Sequence, residues 1–257
     1  MWQLYDSLIE KVEDDVIVEG LTVGLAWTAA RSKTTGLAMS SARPLTPSPL
    51  SGNCQGKPVK ELAKLIKSWE FFEASIGLSA INSVFNHCDH ISKMEENGFQ
   101  QLPIGSAFDL IAQNAKGKKV AVIGHFRNMG ELADQCDLTI LERNPGVGDL
   151  PDPAAEYILP EQDVVLLTSS TLINKTAPRL LELSKNAVTI MIGPSTPISP
   201  ALFDMGVDII SGLIVEEENT VLRCVREGGG VRTFRNAIKY INMTRKDFSF
   251  SKTQIHK

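Results

Sequence analysis

His125 and Glu142 are the two side chains of this sequence with the clearest capacity for chemistry, and each follows an apolar run. The imidazole of His125 could transfer protons or bind a metal, although a histidine can also simply orient its loop. Glu142 comes 18 residues after Gly124, where nucleotide-binding sheets place the acid that binds a ribose hydroxyl. With Arg143 it could instead form an ion pair at an exposed strand end. We predict His125 and Glu142 as catalytic or metal-binding residues and leave both alternatives open.

Two further segments are rich in hydroxyl side chains and prolines. Residues 168–176 read Thr-Ser-Ser-Thr-Leu-Ile-Asn-Lys-Thr, with four hydroxyl residues ahead of a predicted helix. Hydroxyls cap helices, and the amides of a helix N-terminus attract anions. Residues 193–197 read Gly-Pro-Ser-Thr-Pro, and the two prolines restrict the backbone. The first segment is predicted to bind an anionic group, and the second to form a rigid binding wall or else a helix start at Ser199 and Pro200.

The predicted loops should contact one ligand together, because the carboxyl ends of parallel strands open into a common crevice. A planar arginine fork beside Glu142 would suit a phosphate or carboxylate. Asn82 lies in a mostly apolar predicted helix, where a carboxamide needs hydrogen-bond partners. The predicted ligand-binding residues are Asn82, Gly124, Phe126, Arg143, Thr168, Ser169, Ser170, Asn174, Lys175, Thr176, Gly193, Pro194, Ser195, Thr196 and Pro197.

Residues 87–90, His-Cys-Asp-His, form another set of side chains that can bind transition metals. If a helix continued through them, His87 and His90 would be its only two well-placed ligands. Zinc sites use three or four protein ligands. The motif is therefore interpreted as a polar helix end.

Apolar runs separated by helix-length spacers position these loops. They begin at Val120, Leu138, Val164 and Val188, and a last strand is predicted over residues 208–215. Strands alternating with helices build a parallel sheet, and right-handed crossovers make a doubly wound topology the expected one. The spacers predict helices near residues 128–135, 172–184 and 200–205, and a tail helix is expected over residues 233–241.

The N-terminal part has a different pattern. Apolar residues at helical spacing predict a helix over residues 2–13, and short β-branched stretches up to residue 41 predict an antiparallel meander. Residues 44–58 hold four prolines and should form a surface loop. Gly77, inside a predicted helix, indicates close packing or a cleft, with packing favoured. The fold class is thus α/β, with a Rossmann-like parallel sheet domain at residues 101–257 preceded by a smaller α+β domain at residues 1–100.

Composition excludes several functions. The chain has 257 residues, 43% of them hydrophobic, and a net charge of −4, which offers no basic surface for nucleic acid. No apolar run approaches the roughly 20 residues that cross a membrane, and the acidic first 15 residues do not resemble a signal peptide. The four separated cysteines fit reduced thiols. We expect a cytoplasmic protein with a small-molecule or metal-chelate ligand and no nucleic acid or membrane partner, and the apolar first helix would suit a homodimer.

Several motifs together resemble a known family. They are residues 74–82 (Ala-Ser-Ile-Gly-Leu-Ser-Ala-Ile-Asn), residues 122–126 (Val-Ile-Gly-His-Phe), residues 141–145 (Leu-Glu-Arg-Asn-Pro), the pair of segments 167–168 and 174–176, and residues 193–197. In combination they are similar to a prokaryotic family described as "putative heavy-metal chelation" proteins. The resemblance covers nearly the whole chain. It implies an enolase N-terminal-like domain, a Rossmann-like domain and an active site in the cleft between them.

The resemblance also implies metal handling or chemistry on a metal-chelating small molecule. The positions that match the family's motifs, and that the resemblance implies as site residues, are Asn82, His125, Glu142, Asn174 and the loop at residues 193–197. The resemblance does not extend to enolase catalysis, because the chain is too short for the barrel that holds the acidic magnesium ligands of that enzyme. A transition metal is the cofactor that the resemblance suggests, and the sequence identifies no other.

Two functions follow from these observations. The first is binding of a small anionic or metal-chelating ligand in an interdomain cleft, as part of metal or metallocofactor metabolism. The alternative is an enzyme that uses a nucleotide-like cofactor, S-adenosylmethionine or NAD(P), with Glu142 on its ribose. Against the alternative, the first strand-end turn offers only Gly124 and Gly130, whereas a dinucleotide fingerprint needs three glycines.

Overall fold

The computed structural model describes residues 2–41, 50–103, 107–126 and 129–250, without the side chains of Ala107 and Glu131. Short 3-10 helices cover Lys64–Lys67, Asp152–Ala154, Leu159–Glu161 and Val231–Ala237. The α-helices in this part of the chain are α1 (Gln3–Glu10), α2 (Val59–Ala63), α3 (Phe71–Phe85), α4 (Cys88–Glu96), α5 (Ala107–Asn114), α6 (Gly130–Ala133), α7 (Ala155–Ile158), α8 (Ser170–Ile173), α9 (Ala177–Leu183), α10 (Pro200–Asp204) and α11 (Glu218–Arg226).

The strands form two sheets, which confirms the predicted α/β class. A three-stranded antiparallel sheet has the order β1-β2-β3, and an eight-stranded sheet has the order β4-β11-β10-β9-β8-β5-β6-β7 within the described residues. Strands β5 to β10 pair in parallel, whereas β11 is antiparallel to β10 and to β4. The strands are β1 (Gly20–Val23), β2 (Trp27–Arg31), β3 (Thr35–Met39), β4 (Phe99–Gln101), β5 (Lys119–Ile123), β6 (Asp137–Glu142), β7 (Leu150–Pro151), β8 (Val164–Thr168), β9 (Val188–Ile192), β10 (Ile209–Val215) and β11 (Ile238–Arg245).

The order of the large sheet determines where a ligand can enter. From β5 the chain moves outward to β6 and β7, and it then returns to β8 on the other side of β5. The connections therefore diverge at the carboxyl ends of β5 and β8, which is the switch point where open parallel sheets bind ligands. Strands β8 and β9 are apolar and buried along almost their whole length because helices cover both faces.

Helix α3 is held tightly between the small sheet and the helices before it. A Cβ on Gly77 would overlap the backbone nitrogen of Ile66, and a Cβ on Gly36 of β3 would overlap that of Ser83. This confirms the packing interpretation of Gly77. The close approach allows α3 to be buried on nearly every side, from Ala74 to Phe85.

One hydrophobic core joins the N-terminal and C-terminal parts of the chain. Leu4, Tyr5 and Leu8 of α1 belong to the same buried cluster as Leu172 and Leu202 of the later helices. The hydroxyl of Tyr5 donates to the carbonyl of Leu172 at 3.1 Å. Strand β4 crosses residue 100 and pairs with β11, so the predicted division at that position passes through a strand of the large sheet. The division into two domains and the enolase-like character of the first stay predictions.

The structure corrects three local predictions. The tail helix predicted over residues 233–241 is a 3-10 turn followed by the long strand β11, whose buried face includes Ile241 and Met243. The single helix predicted over residues 172–184 is divided into α8 and α9 by Asn174 to Thr176, where Lys175 has a positive φ of 68°. The motif at residues 87–90 is a helix start, because α4 begins at Cys88. Of the proline-rich segment at residues 44–58, residues 44–49 lie outside the described residues.

Two further expectations concern membranes and self-association. No helix in the described ranges is long and apolar enough to cross a membrane. The apolar face of α1 packs against the chain's own core, so it is not free for the homodimer that we expected it to support. The homodimer and the cytoplasmic location stay predictions.

Candidate functional site

A cavity of about 580 Å³ lies at the switch point of the large sheet. Its polar side comes from the loops after β5, β6, β8 and β9, and Trp27, Met39, Ser41 and Phe71 close it from the N-terminal part of the chain. This volume is within the usual range for small-molecule sites, roughly 300–1,000 Å³. The predicted site residues that line it are Gly124, His125, Phe126, Glu142, Arg143, Thr168, Ser169, Ser170, Asn174, Thr176, Gly193, Pro194 and Ser195.

His125 is positioned by two carboxylates. Its backbone N–H donates to Oε2 of Glu142 at 2.8 Å, and its ring Nδ1 lies 3.0 Å from Oδ2 of Asp149. Hydrogen bonding from the Gly146 amide and from His125 lowers the pKa of Asp149, so this carboxylate is ionised and can only accept. Nδ1 therefore carries the proton that Asp149 accepts, which leaves Nε2 of the half-exposed ring as the nitrogen that can bind a ligand.

Glu142 organises the turn in which it lies. Its Oε2 accepts from the amide of His125, and its Oε1 accepts from the amides of Arg143 at 2.8 Å and Asn144 at 3.4 Å. Both oxygens thus bind backbone donors and connect the ends of β5 and β6. The side chain of Arg143 lies beside them and donates from Nε to Asp152 at 2.8 Å, with about half of it exposed to the cavity and solvent.

The hydroxyl residues after β8 differ in their roles. Thr171 donates to the carbonyl of Thr168 at 2.7 Å, so its hydroxyl serves the local turn. Thr176 likewise donates to Oδ1 of Asn174 at 2.6 Å. The hydroxyls of Thr168 and Ser170 make only long contacts in the described structure: 3.4 Å to each other, 3.5 Å from the Ser170 amide to Thr168, and 3.9 Å from Ser170 to the sulfur of Met39. Both residues line the cavity together with Ser169. These last three hydroxyls are available to an anionic or hydroxylated ligand.

The wall formed by residues 193–197 is held by the N-terminal part, through the backbone amide of Met39 and the side chains of Asn82 and Asn86. The hydroxyl of Ser195 accepts from the amide of Met39 at 2.8 Å, and the Ser195 carbonyl accepts from Asn82 at 2.9 Å. Asn86 donates to the carbonyl of Thr196 at 3.0 Å and accepts from the amide of Ile198 at 2.9 Å. Ser199 caps α10 by accepting from the Ala201 amide, which confirms the predicted helix start, and the role of residues 193–197 as a binding wall stays a prediction.

Four predicted contact residues do not line the cavity: Asn82, Lys175, Thr196 and Pro197. Asn82 is buried and acts through the Ser195 carbonyl and that of Leu37. Lys175 is 6% exposed, donates to the carbonyl of Ile173 at 2.7 Å and lies over the rings of Tyr5 and Phe71. Burial lowers its pKa to about 8.

The sequence did not single out several residues of the site. One of them is Asp149, whose spacing from a preceding Asn-Pro-Gly turn allows it to fold back on Gly146, where its carboxylate accepts the amide at 2.9 Å. Asp152 and the aromatic residues Trp27 and Phe71 also line the cavity. Only the assembled fold brings these aromatic residues to the sheet edge, since no local pattern connects them to it.

His87 and His90 lie away from this cavity, at the other end of α3. Nε2 of His90 contacts the carbonyl of Ile198 at 2.9 Å, and burial lowers the pKa of His90 to about 4. His87 immediately precedes α4, and its pKa is also lowered, first by burial. The pair therefore forms part of a helix start and not of the main cavity.

The described side chains of the cavity do not supply the set of ligands that a resident metal requires. In the described ranges, no group of three or more His, Cys, Asp or Glu side chains could hold a metal ion. His125 offers one nitrogen, while the oxygens of Glu142 and Asp149 already bind protein donors. These residues do not fit a resident metal held by the protein alone.

The fold and the cavity define a mixed α/β protein in which a small-molecule-sized cavity lies at the carboxyl edge of a mainly parallel sheet and is closed by N-terminal residues. Two family models, both described as "putative heavy-metal chelation", match residues 5–85 and residues 106–244. The chain therefore belongs to this family, whose C-terminal model is named DUF364.

Solved structures and a curated protein are also similar to this chain. A DUF364 protein of unknown function from Desulfitobacterium hafniense is 37% identical, with a TM-score of 0.84 over 95% of this chain and 99% of its own. A second one, from Pyrococcus horikoshii, is 20% identical with a TM-score of 0.75 over 93% and 97%, which shows a shared fold. An uncharacterized protein from Methanocaldococcus jannaschii is 27% identical over 73% of this chain and 72% of its own.

Proposed function

We propose that the protein binds a small anionic metal chelate in the cavity at the sheet edge, as part of heavy-metal or metallocofactor metabolism. The metal is cargo in this proposal. His125 contributes one ligand through Nε2, and the small molecule contributes the others. The observation that carries the proposal is the His125–Asp149 pair at 3.0 Å, because a carboxylate on the remote imidazole nitrogen is the usual support of a metal-binding histidine.

The rest of the lining suits the organic part of such a chelate. The Arg143 fork and the hydroxyls of Thr168, Ser169 and Ser170 can bind carboxylate or phosphate groups. The opposite wall, including Trp27 and Phe71, can pack against carbon. The amides bound to Glu142 and the Asn82 contact to Ser195 keep these loops in place, so we assign Glu142 and Asn82 positioning roles.

Titration with cobalt complexes tests the proposal. Co²⁺ complexes of citrate, histidine and iminodiacetate should bind the protein more tightly than Co²⁺ or the free chelators, and His125→Ala should remove the change in cobalt absorption. Asp149→Asn should weaken binding by about 10- to 100-fold, because the imidazole loses its orienting acceptor. Asp204→Asn, an exposed change at an ion pair with Arg245, is the control and should have no effect. Equal binding of the cobalt complexes by the wild type and His125→Ala would contradict the proposal.

A nucleotide-like cofactor is the second candidate, and the position of Glu142 at the end of β6 favours it. Its carboxylate, however, already accepts three backbone amides, and no three-glycine turn follows β5. Thermal-shift measurements with S-adenosylmethionine, NAD and NADP distinguish the candidates. Stabilisation by one of them that Glu142→Gln abolishes would support the cofactor enzyme over chelate binding.

A further inference from the structure

A second concave site lies far from the main cavity along α3. Its volume is about 210 Å³, and Val84, Phe85 and Pro200 supply its apolar lining. Phe71, the first residue of α3, lines the main cavity, and Phe85, the last, lines this second pocket. At 1.5 Å per residue, a 15-residue helix separates the two by about 20 Å.

Basic side chains from three separate segments converge on this pocket. Lys11 follows α1, Lys33 lies in the turn between β2 and β3, and Lys93 lies on α4. Glu13 is the one carboxylate in the lining, and it forms an ion pair with Lys33. Within the described ranges neither Lys11 nor Lys93 forms a salt bridge.

The charges are close enough to influence one another. The pKa of Glu13 is lowered, first by its hydrogen bond from Lys33 and further by Lys93 and His87. The three lysines and the one glutamate give the lining of the pocket a net charge of +2 when both histidines are neutral. Like charges disfavour one another, so such an arrangement is stabilised by an anion and repels a metal cation.

The two histidines complete the lining and respond to the same charges. Their rings lie 6.1 Å apart. Burial is the main cause of the lowered pKa of each, and Lys33 and Lys93 lower both further, while Asp89 opposes this for His87. The Ile198 carbonyl can only accept, so Nε2 of neutral His90 is its donor. Each imidazole can thus gain a proton when negative charge enters the pocket.

We propose that this pocket, which we call the lysine pocket, binds a small dianionic oxyanion of the phosphate class. The net charge of the lining matches that of the dianion. A volume of about 210 Å³ holds a phosphate group with a few waters, since one water occupies roughly 30 Å³ in the liquid. The ligand is either free phosphate or the phosphate of a small monoester, whose ester group would extend to solvent.

Isothermal titration calorimetry of the full chain with inorganic phosphate and with methyl phosphate tests the proposal. At least one should bind saturably with a dissociation constant below about 1 mM, and their relative affinity identifies the free or esterified form. The double variant Lys11→Gln/Lys93→Gln should weaken binding at least tenfold. Lys239→Gln, an exposed change on β11, is the matched control and should bind as the wild type does.

Nuclear magnetic resonance of the histidine rings gives a second readout that does not depend on the heat of binding. Bound phosphate should raise the pKa of His87 and His90, while the resonances of the His125 ring stay where they are in the free protein. The groups that face these rings and share in this response are Lys11, Glu13, Lys33, Asp89 and Lys93. A dissociation constant above about 1 mM for both ligands, or unchanged binding in the double variant, would overturn the proposal.

Discussion

At the scale of single residues, the site depends on how polar groups are paired. Asp149 fixes the tautomer of His125, and Glu142 holds its backbone, so the imidazole presents Nε2 without needing to reorganise. The residue types and strand-end positions were visible in the sequence. The sequence did not show that His125 is the ligand group and that Asp149 and Glu142 support it, because this depends on which carboxylate reaches which donor.

Lys175 gives a prediction for stability. Its pKa falls from 10.5 to about 8 in the folded chain because burial penalises the ammonium. The unfolded chain therefore binds more protons between pH 8 and 10.5, and the free energy of unfolding should rise as the pH rises through that window. Between pH 7 and 10 the wild type should gain roughly 2 kcal/mol relative to Lys175→Met.

Urea unfolding of the wild type and the variant at several pH values measures this difference. Lys185→Met, at an exposed position after α9, is the control and should follow the wild type at every pH. A pH dependence of Lys175→Met equal to that of the wild type would show that Lys175 titrates normally in the folded protein.

At the scale of elements, α3 acts as a clamp on the loop after β9. The carboxamide of Asn86 bonds to the carbonyls of Thr196 and Leu213 and to the amide of Ile198. Asn86→Ala removes these three bonds and leaves buried backbone groups unpaired, so we expect a loss of roughly 2–4 kcal/mol in the free energy of unfolding. Asn219→Ala, exposed on α11, should change it by less than about 0.5 kcal/mol.

Chemical denaturation of both variants, with a circular dichroism spectrum of each before unfolding, checks this prediction. If Asn86→Ala and Asn219→Ala lowered the free energy of unfolding equally, the three hydrogen bonds of Asn86 would not contribute the stability that we assign to them.

The turn at Gly193 requires a glycine. Its φ is 128°, and an added Cβ would lie 3.0 Å from Oγ of Ser169 in the neighbouring loop. Gly193→Ala should therefore lower stability by roughly 1–3 kcal/mol and weaken binding of the cobalt complexes, since it displaces one wall of the cavity.

Gly130→Ala is the matched control for that substitution, because no described residue has an atom within 4 Å of a Cβ added there. We expect it to be neutral or slightly stabilising in thermal unfolding, since alanine favours a helix. A Gly193→Ala protein as stable as Gly130→Ala would contradict the requirement for glycine.

Element predictions from the sequence succeeded where a pattern was strong and local. The apolar runs of β5, β8 and β9 and the small antiparallel sheet were predicted because burial on both faces, or alternation between them, leaves a clear pattern. The tail was predicted as a helix because the segment of residues 233–241 is short and mixes apolar with polar residues in no clear alternation. Residues 238–241 are instead the first half of β11, which pairs with β10 along its length and with β4 from Met243 onward, and this pairing is a long-range effect.

At the scale of the whole molecule, one core unites parts of the chain that the sequence predicted as two domains. Helix α1 packs among later helices, and Met39, Asn82 and Asn86 hold the loop after β9. The sequence indicated the sheet edge as a site, but Trp27 and Phe71 could not be placed there without the tertiary structure. The arrangement gives the cavity one polar wall from the sheet and one apolar wall from the N-terminal part, which is the basis for proposing an organic chelate as ligand.

The most direct test of this account is the position of the metal in crystals soaked with the cobalt–citrate complex. Anomalous scattering at the cobalt edge should show a peak in the cavity, about 2.0–2.2 Å from Nε2 of His125. Density for the chelator should extend from it toward Arg143 and the hydroxyls of Thr168, Ser169 and Ser170. A bound complex whose cobalt lies elsewhere on the protein, or no cobalt in the cavity of well-soaked crystals, would contradict the central claim.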